Sequence, residues 1–245
     1  MPDPTTAEVV VPGVDGVMNG RLFHLDGGRP RPAILVLPEV DGYCAATEAA
    51  AARLAGAGYA AVALDVFAPL GGVPPLTDRD VAMAWVARLD DHRQLSDLAM
   101  AVAWLAEQPA ADPKRLGILG FSIGGRYAML LATESHGLGA VVTFYSDPWP
   151  GRSHPNVGLG PGDHVPALQA PVCAIYGTED DFITLEKAQR FGELLEASGH
   201  EAHYVAGRHF FANEGRPRRY VRASADAAWA VTLAFFGRHL RPNGG

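Results

Sequence analysis

Arg115-Leu-Gly-Ile-Leu-Gly120-Phe-Ser122-Ile-Gly-Gly125 passes from an apolar, strand-forming stretch into a helical one with almost no loop between them. Arg115 to Gly120 reads as a buried strand and Ile123 to about Ser135 as the helix that follows. The junction fits G-x-S-x-G, a turn so tight that Ser122 takes strained backbone angles and its hydroxyl stands clear of the sheet. Glycines flank the serine because side chains there would hold strand and helix apart. About one chain in ten of this composition contains the bare pattern by chance, so its placement between strand and helix carries the weight. An ordinary glycine-rich turn is the plain alternative. A nucleotide-binding reading fails, since the run lacks both a P-loop lysine and the spaced glycines of a dinucleotide site.

Outward from this junction, short aliphatic runs alternate with longer Ala/Leu-rich segments, the pattern of a parallel sheet wrapped by helices. Strands are predicted at Ala33 to Leu37, Tyr59 to Asp65, Gly139 to Tyr145, Pro171 to Gly177 and His200 to Ala206. Helices are predicted at Thr47 to Gly58 with Thr47 as N-cap, Asp78 to about Leu89, about Leu95 to Gln108, Leu185 to Ser198 and Tyr220 to Leu240. Residues 1–30 supply one or two antiparallel edge strands. No repeat, linker or charge run divides the chain, so 1–245 is read as a single domain.

The 245 residues are 48% hydrophobic and 19% charged, enough to bury a full core. A net charge of −7 without a basic stripe argues against nucleic acid and anionic membranes as partners. No signal peptide or membrane span is visible, which sets cytoplasmic as the expectation. Two cysteines, Cys44 and Cys173, make neither a disulfide framework nor a cysteine-based zinc site. His154, Asp163 and His164 match no rigid ligand spacing, so neither metal nor cofactor is expected.

A nucleophilic Ser122 needs an imidazole base and a carboxylate to orient it, in the chain order Ser, Asp/Glu, His. Asp180 follows the strand ending at Gly177, with Glu179 and Asp181 as rivals on the same loop, and His209 follows the last strand. The bland readings are solvated loop acids and a surface histidine.

Five ordered segments carry a resemblance: Leu-Pro-Glu39-Val-Asp-Gly, Ala-Val-Ala-Leu-Asp65-Val-Phe-Ala-Pro, Gly-Phe-Ser122-Ile-Gly-Gly, Gly-Thr-Glu-Asp180-Asp-Phe and His209-Phe-Phe-Ala-Asn. Over about residues 30–240 their order and spacing resemble the dienelactone hydrolase family. The resemblance implies an α/β-hydrolase fold: a mostly parallel sheet, helices on both faces and no large cap domain. It implies hydrolysis of a small ester or lactone through an acyl-enzyme. Ser122 would be nucleophile, His209 base and acid, Asp180 the orienting carboxylate, and the N–H groups of Val40 and Ile123 the oxyanion hole. Glu39 resembles a carboxylate that, in well-known members, holds the resting nucleophile's proton; a strand-end acid paired with a neighbour is its other reading.

Two departures matter. Those members carry cysteine where this chain has Ser122, and serine must lose its proton to His209 during attack. The two arginines that hold a substrate carboxylate in true dienelactone hydrolases correspond to Pro69 and Asn213, neither able to form a charge-assisted pair. A neutral or differently charged ester or lactone is therefore expected. Phe210, Phe211, Tyr43, Cys44, Trp85 and Trp149 are candidates for the substrate pocket, with core packing the alternative for Cys44 and for at least one of the phenylalanines. Arg208 is either an anion contact or solvated. Other functions in view are a thioesterase or acyl transferase, or a non-catalytic binder of small ligands; monomer and homodimer both remain open.

Overall fold

The computed structural model describes residues 4–27, 29–76, 79–134, 136–150 and 160–240. Its strands are β1 (Thr5–Pro12), β2 (Val17–His24), β3 (Arg31–Leu37), β4 (Ala60–Asp65), β5 (Ala111–Phe121), β6 (Leu138–Phe144), β7 (Val172–Gly177) and β8 (Glu201–Val205). The helices are α1 (Ala45–Gly56), α2 (Arg79–Val86), α3 (Asp91–Ala106), α4 (Ile123–Leu131), α5 (Leu185–Ala197) and α6 (Arg222–Leu240). All eight strands form one sheet in the order β1-β2-β4-β3-β5-β6-β7-β8. The β1–β2 and β2–β4 pairs are antiparallel and the rest parallel, so the N-terminal hairpin closes one edge as expected. This is the α/β-hydrolase fold, and no large cap domain occurs among the described residues.

Alternation along the strands builds two cores. In β3, Ala33, Leu35 and Leu37 face α3, α4 and α5, while Ile34 and Val36 face α1 and α6. Both faces are covered, which is why these strands read as continuous apolar runs instead of alternating ones.

Helix starts differ from expectation where polar residues are buried. The first helix begins at Ala45 with Cys44 at the N-cap and no side-chain cap, leaving Thr47 buried in its first turn. Helix α3 begins four residues before the predicted Leu95, where Asp90 accepts the Arg93 N–H. Its first turn escapes an apolar-periodicity reading because Asp91 and Gln94 occupy the buried face. Asp91 receives Arg126 of α4 through two hydrogen bonds, at 2.8 and 2.5 Å, and the Tyr127 hydroxyl at 3.0 Å. This buried pair ties α3 to the helix that follows Ser122.

Candidate active site

Ser122 stands between β5 and α4 at φ 50° and ψ −114°. For a residue with a Cβ this conformation costs about 1–3 kcal/mol. The surrounding glycines are required by contact. A Cβ on Gly120 would lie 2.5 Å from Gly125 Cα, one on Gly124 2.5 Å from the Pro38 carbonyl, and one on Gly125 1.9 Å from Ser146 Oγ. Strand, helix and the end of β3 therefore meet at backbone distance, which sets Glu39 and Val40 beside the first turn of α4. Ile123 opens that helix, where backbone N–H groups lack intrahelical acceptors.

Ser122 Oγ lies 3.0 Å from His209 Nε2, and His209 Nδ1 lies 2.7 Å from Asp180 Oδ2. The other Asp180 oxygen accepts the backbone N–H groups of Phe182 and Ile183 at 2.8 and 2.9 Å, so the carboxylate has one orientation. The rival acids point elsewhere. Glu179 is exposed, and Asp181 pairs with Arg219, whose hydrogen bond holds the carboxyl below its ordinary range.

The imidazole sits in an aromatic cage, with ring centroids of Phe210, Phe182 and Tyr145 at 4.4, 4.8 and 4.9 Å. Ser122, Tyr145 and Phe210 are the only non-glycine residues at positive φ among the described residues, and all three touch His209. Strain concentrates where the serine–imidazole geometry is set.

Glu39 is buried and does not bond Ser122. Its Oε1 accepts the Tyr145 hydroxyl at 2.5 Å and its Oε2 accepts Asn213 Nδ2 at 2.8 Å. Burial raises the carboxyl above its usual range against the pull of these two donors, and burial likewise keeps the Tyr145 phenol protonated. Tyr145 and Asn213 had no such role in the sequence reading. The strand order could have suggested the first, since β6 runs beside β5 and Tyr145 directly follows it. A second unforeseen pair is Asp41 with Arg216, whose guanidinium lies 4.1 Å over the Phe210 ring and 4.0 Å from Glu39 Oε2. Arg216 lies three residues beyond the position where the resemblance looked for an arginine. Pro69 sits in a short 3-10 turn after β4.

The pocket candidates disperse. Phe210 packs on the imidazole, whereas Phe211 has no exposed surface and stacks on Phe144 at 6.0 Å, a core contact. Tyr43 donates to Glu48 at 2.5 Å. Cys44 lines a cavity of about 320 Å³ with Glu39, Phe121, Tyr145, Asn213 and Trp229, which borders the Glu39 network on the side of α1 and α6. Trp85 is buried edge-on against Phe67. Trp149 packs against Phe191 of α5, below Arg190, and its indole donates to Asp163 at 3.0 Å. Arg208 is exposed, and His154 lies outside the described residues.

Residues 18–240 match the Dienelactone hydrolase family. A protein of Methylorubrum extorquens named "Putative carboxymethylenebutenolidase" is 34% identical over 238 residues, 95% of this chain and 80% of its own length. The "Carboxymethylenebutenolidase" of Rhodococcus opacus is 30% identical over 215 residues, 84% of this chain and 81% of its own. Among solved structures, "Putative Dienelactone Hydrolase" from Klebsiella pneumoniae superposes with a TM-score of 0.87 at 27% identity, covering 96% of this chain and 99% of that one.

Proposed function

The chain belongs to the dienelactone hydrolase family of carboxylic ester hydrolases, and from that premise we propose that it is a serine-dependent enzyme cleaving a small ester or lactone through an acyl-enzyme. The observation that carries this reading is the unbroken hydrogen-bond chain from Ser122 through His209 to Asp180 at a strained strand-to-helix turn.

In the proposed mechanism Ser122 Oγ attacks the carbonyl carbon as its proton passes to His209 Nε2. The oxyanion is held by the N–H groups of Val40 and Ile123, aimed at charge that develops only in the transition state. The carbonyl–oxygen bond to the leaving group breaks as His209 returns the proton to that oxygen; from a lactone, the new hydroxyl stays on the acyl chain. Water then attacks the acyl-enzyme, giving its proton to His209, and the serine oxygen leaves with that proton. Asp180 stabilises the imidazolium and fixes Nδ1 as the protonated nitrogen.

The substrate we propose is uncharged near the reacting centre. Asn213 is committed to Glu39, and of the two arginines that lie over cage phenylalanines, Arg219 is paired with Asp181 and Arg216 is neutralised by Asp41. A substrate carboxylate would have to displace Asp41 or Asp181 from its pair. A fluorophosphonate probe tests the chemistry: wild type becomes labelled, and Ser122→Ala and His209→Ala do not. Absence of labelling in folded wild type would refute the serine mechanism. Efficient turnover of the carboxylated dienelactone, measured beside p-nitrophenyl esters and uncharged lactones, would refute the substrate assignment.

A further inference from the structure

Strands β7 and β8 bring three metal-ligating side chains together at the sheet end remote from Ser122. In their parallel register Cys173 pairs with Glu201 and Ile175 with His203, so Cys173, Glu201 and His203 share one face. Their ligating atoms all lie within 4.8 Å of one another. Cys173 is buried, while Glu201 and His203 are partly open to solvent, which leaves an approach from the edge of the sheet. We propose that Cys173, Glu201 and His203 form a binding site for a divalent transition-metal ion of the zinc class.

The donor set selects the ion. One sulfur, one imidazole nitrogen and one carboxylate oxygen suit Zn²⁺ or Co²⁺, whereas Mg²⁺ and Ca²⁺ require oxygen cages. A tetrahedral ion with bonds of about 2.0–2.3 Å holds its ligands roughly 3.3–3.8 Å apart, so the present cluster closes onto it by small side-chain rotations. The fourth position is open to water.

A cation already occupies this neighbourhood. Arg238, in the last turn of α6, donates to Glu201 Oε1 at 2.6 Å, and His203 Nε2 lies 3.2 Å from Glu201 Oε2. Arg238 is about half exposed and can withdraw into solvent when an ion takes its place. The other titratable group facing the cluster is His239 of α6, whose pKa burial lowers, so it adds no positive charge at neutral pH. Binding through Cys173 displaces the thiol proton. Cys173 and Glu201 lie at the N-terminal ends of their strands and His203 at the middle of β8, whereas Asp180 and His209 follow the C-terminal ends. The ion would therefore clamp the edge strand β8 to β7 without touching the reaction.

The test is a Co²⁺ titration of the metal-free full chain, followed by the near-ultraviolet thiolate-to-cobalt absorption. With only two cysteines in the chain, that band can be assigned. Wild type and Cys44→Ala should show saturable binding with the band; Cys173→Ala and His203→Ala should lose it. Arg238→Ala should bind about tenfold more tightly, because a competing cation is gone; a purely structural Arg238–Glu201 pair gives no such gain. Zn²⁺ should raise the Tm of wild type and leave that of Cys173→Ala unchanged. No band at millimolar Co²⁺, a band that survives in Cys173→Ala, or one indifferent to His203→Ala would each overturn the site. If Cys173→Ala fails to fold, the partly exposed His203→Ala decides. None of these readings depends on ester hydrolysis.

Discussion

Replacing Asp180 by Asn isolates what the carboxylate does, because the structure dictates how the amide must sit. The Asp180 oxygen turned from the imidazole accepts the N–H groups of Phe182 and Ile183. In Asp180→Asn the amide oxygen must keep those two bonds, which turns the NH₂ toward His209 Nδ1. Flipping the amide would turn its NH₂ onto the buried Ile183 N–H and the part-buried Phe182 N–H, and the buried donor alone would cost about 1–3 kcal/mol. The flipped form is thus disfavoured by at least about 1–3 kcal/mol, or roughly 5-fold to 150-fold. With the NH₂ facing Nδ1, the imidazole carries its proton on Nε2 and presents a donor to Ser122. The general base is lost while the site keeps its shape. Accordingly kcat for p-nitrophenyl acetate should fall by about 10³–10⁴ with KM little changed, the size of effect a wrong tautomer has in a serine triad. The urea midpoint should stay near that of wild type, which separates the chemical effect from misfolding. A folded Asp180→Asn enzyme within tenfold of wild type would refute the tautomer argument and the role given to Asp180.

Three further predictions concern stability. Gly125→Ala places a Cβ 1.9 Å from Ser146 Oγ and 2.8 Å from the Gly120 carbonyl and should cost about 3 kcal/mol or more in urea unfolding; Gly56→Ala, which meets nothing within 4 Å, should be neutral or slightly stabilising. Arg126→Met leaves the buried Asp91 without this cation and should cost about 3–5 kcal/mol, recovered in good part by Arg126→Met/Asp91→Leu/Tyr127→Phe, which also removes the hydroxyl that donates to Asp91, as thermal melts of the single and triple variants would show. His200 accepts the Val172 N–H through Nδ1, and burial lowers its pKa below the ordinary 6.5. The unfolded chain therefore binds its proton first, and stability present above pH 6.5 is lost as pH falls toward the folded value; His200→Gln should flatten that acid limb in urea titrations from pH 8 to 5.

Apolar runs such as Ala33 to Leu37 announce a parallel sheet because both faces are covered, and the elbow announces itself because no other residues fit. Gly120, Gly124 and Gly125 each face backbone or side-chain atoms where a Cβ would stand. Asp180 and His209 were legible from chain order, since strand ends in this fold deliver side chains to one rim. What stayed hidden arises from pairings distant in sequence. Asn213 and Glu39 are 174 residues apart and Arg216 and Asp41 175 apart, so no local pattern records either contact. Phe210 and Phe211, adjacent aromatics after His209, look alike in sequence and part only in space. The positive φ of Phe210 sends that ring to the imidazole and its neighbour into the core.

The position of Glu39 bears on the proposed use of a serine as nucleophile at this elbow. A thiol is acidic enough to be drawn to its anion by a nearby carboxylate, whereas a hydroxyl is not; serine needs a base in line with its proton at the moment of attack. Here both oxygens of Glu39 are held by Tyr145 and Asn213, while the Ser122 hydroxyl faces His209 Nε2. The same Tyr145 whose hydroxyl holds Glu39 lays its ring against the imidazole, and Asn213 closes, through its N–H to the Phe210 carbonyl, the turn that follows His209. Glu39 thereby braces the two segments that position His209, and its raised pKa is a consequence of the burial this bracing requires. In the proposed mechanism the carboxylate therefore acts on the imidazole's surroundings, and the proton of Ser122 is left to His209.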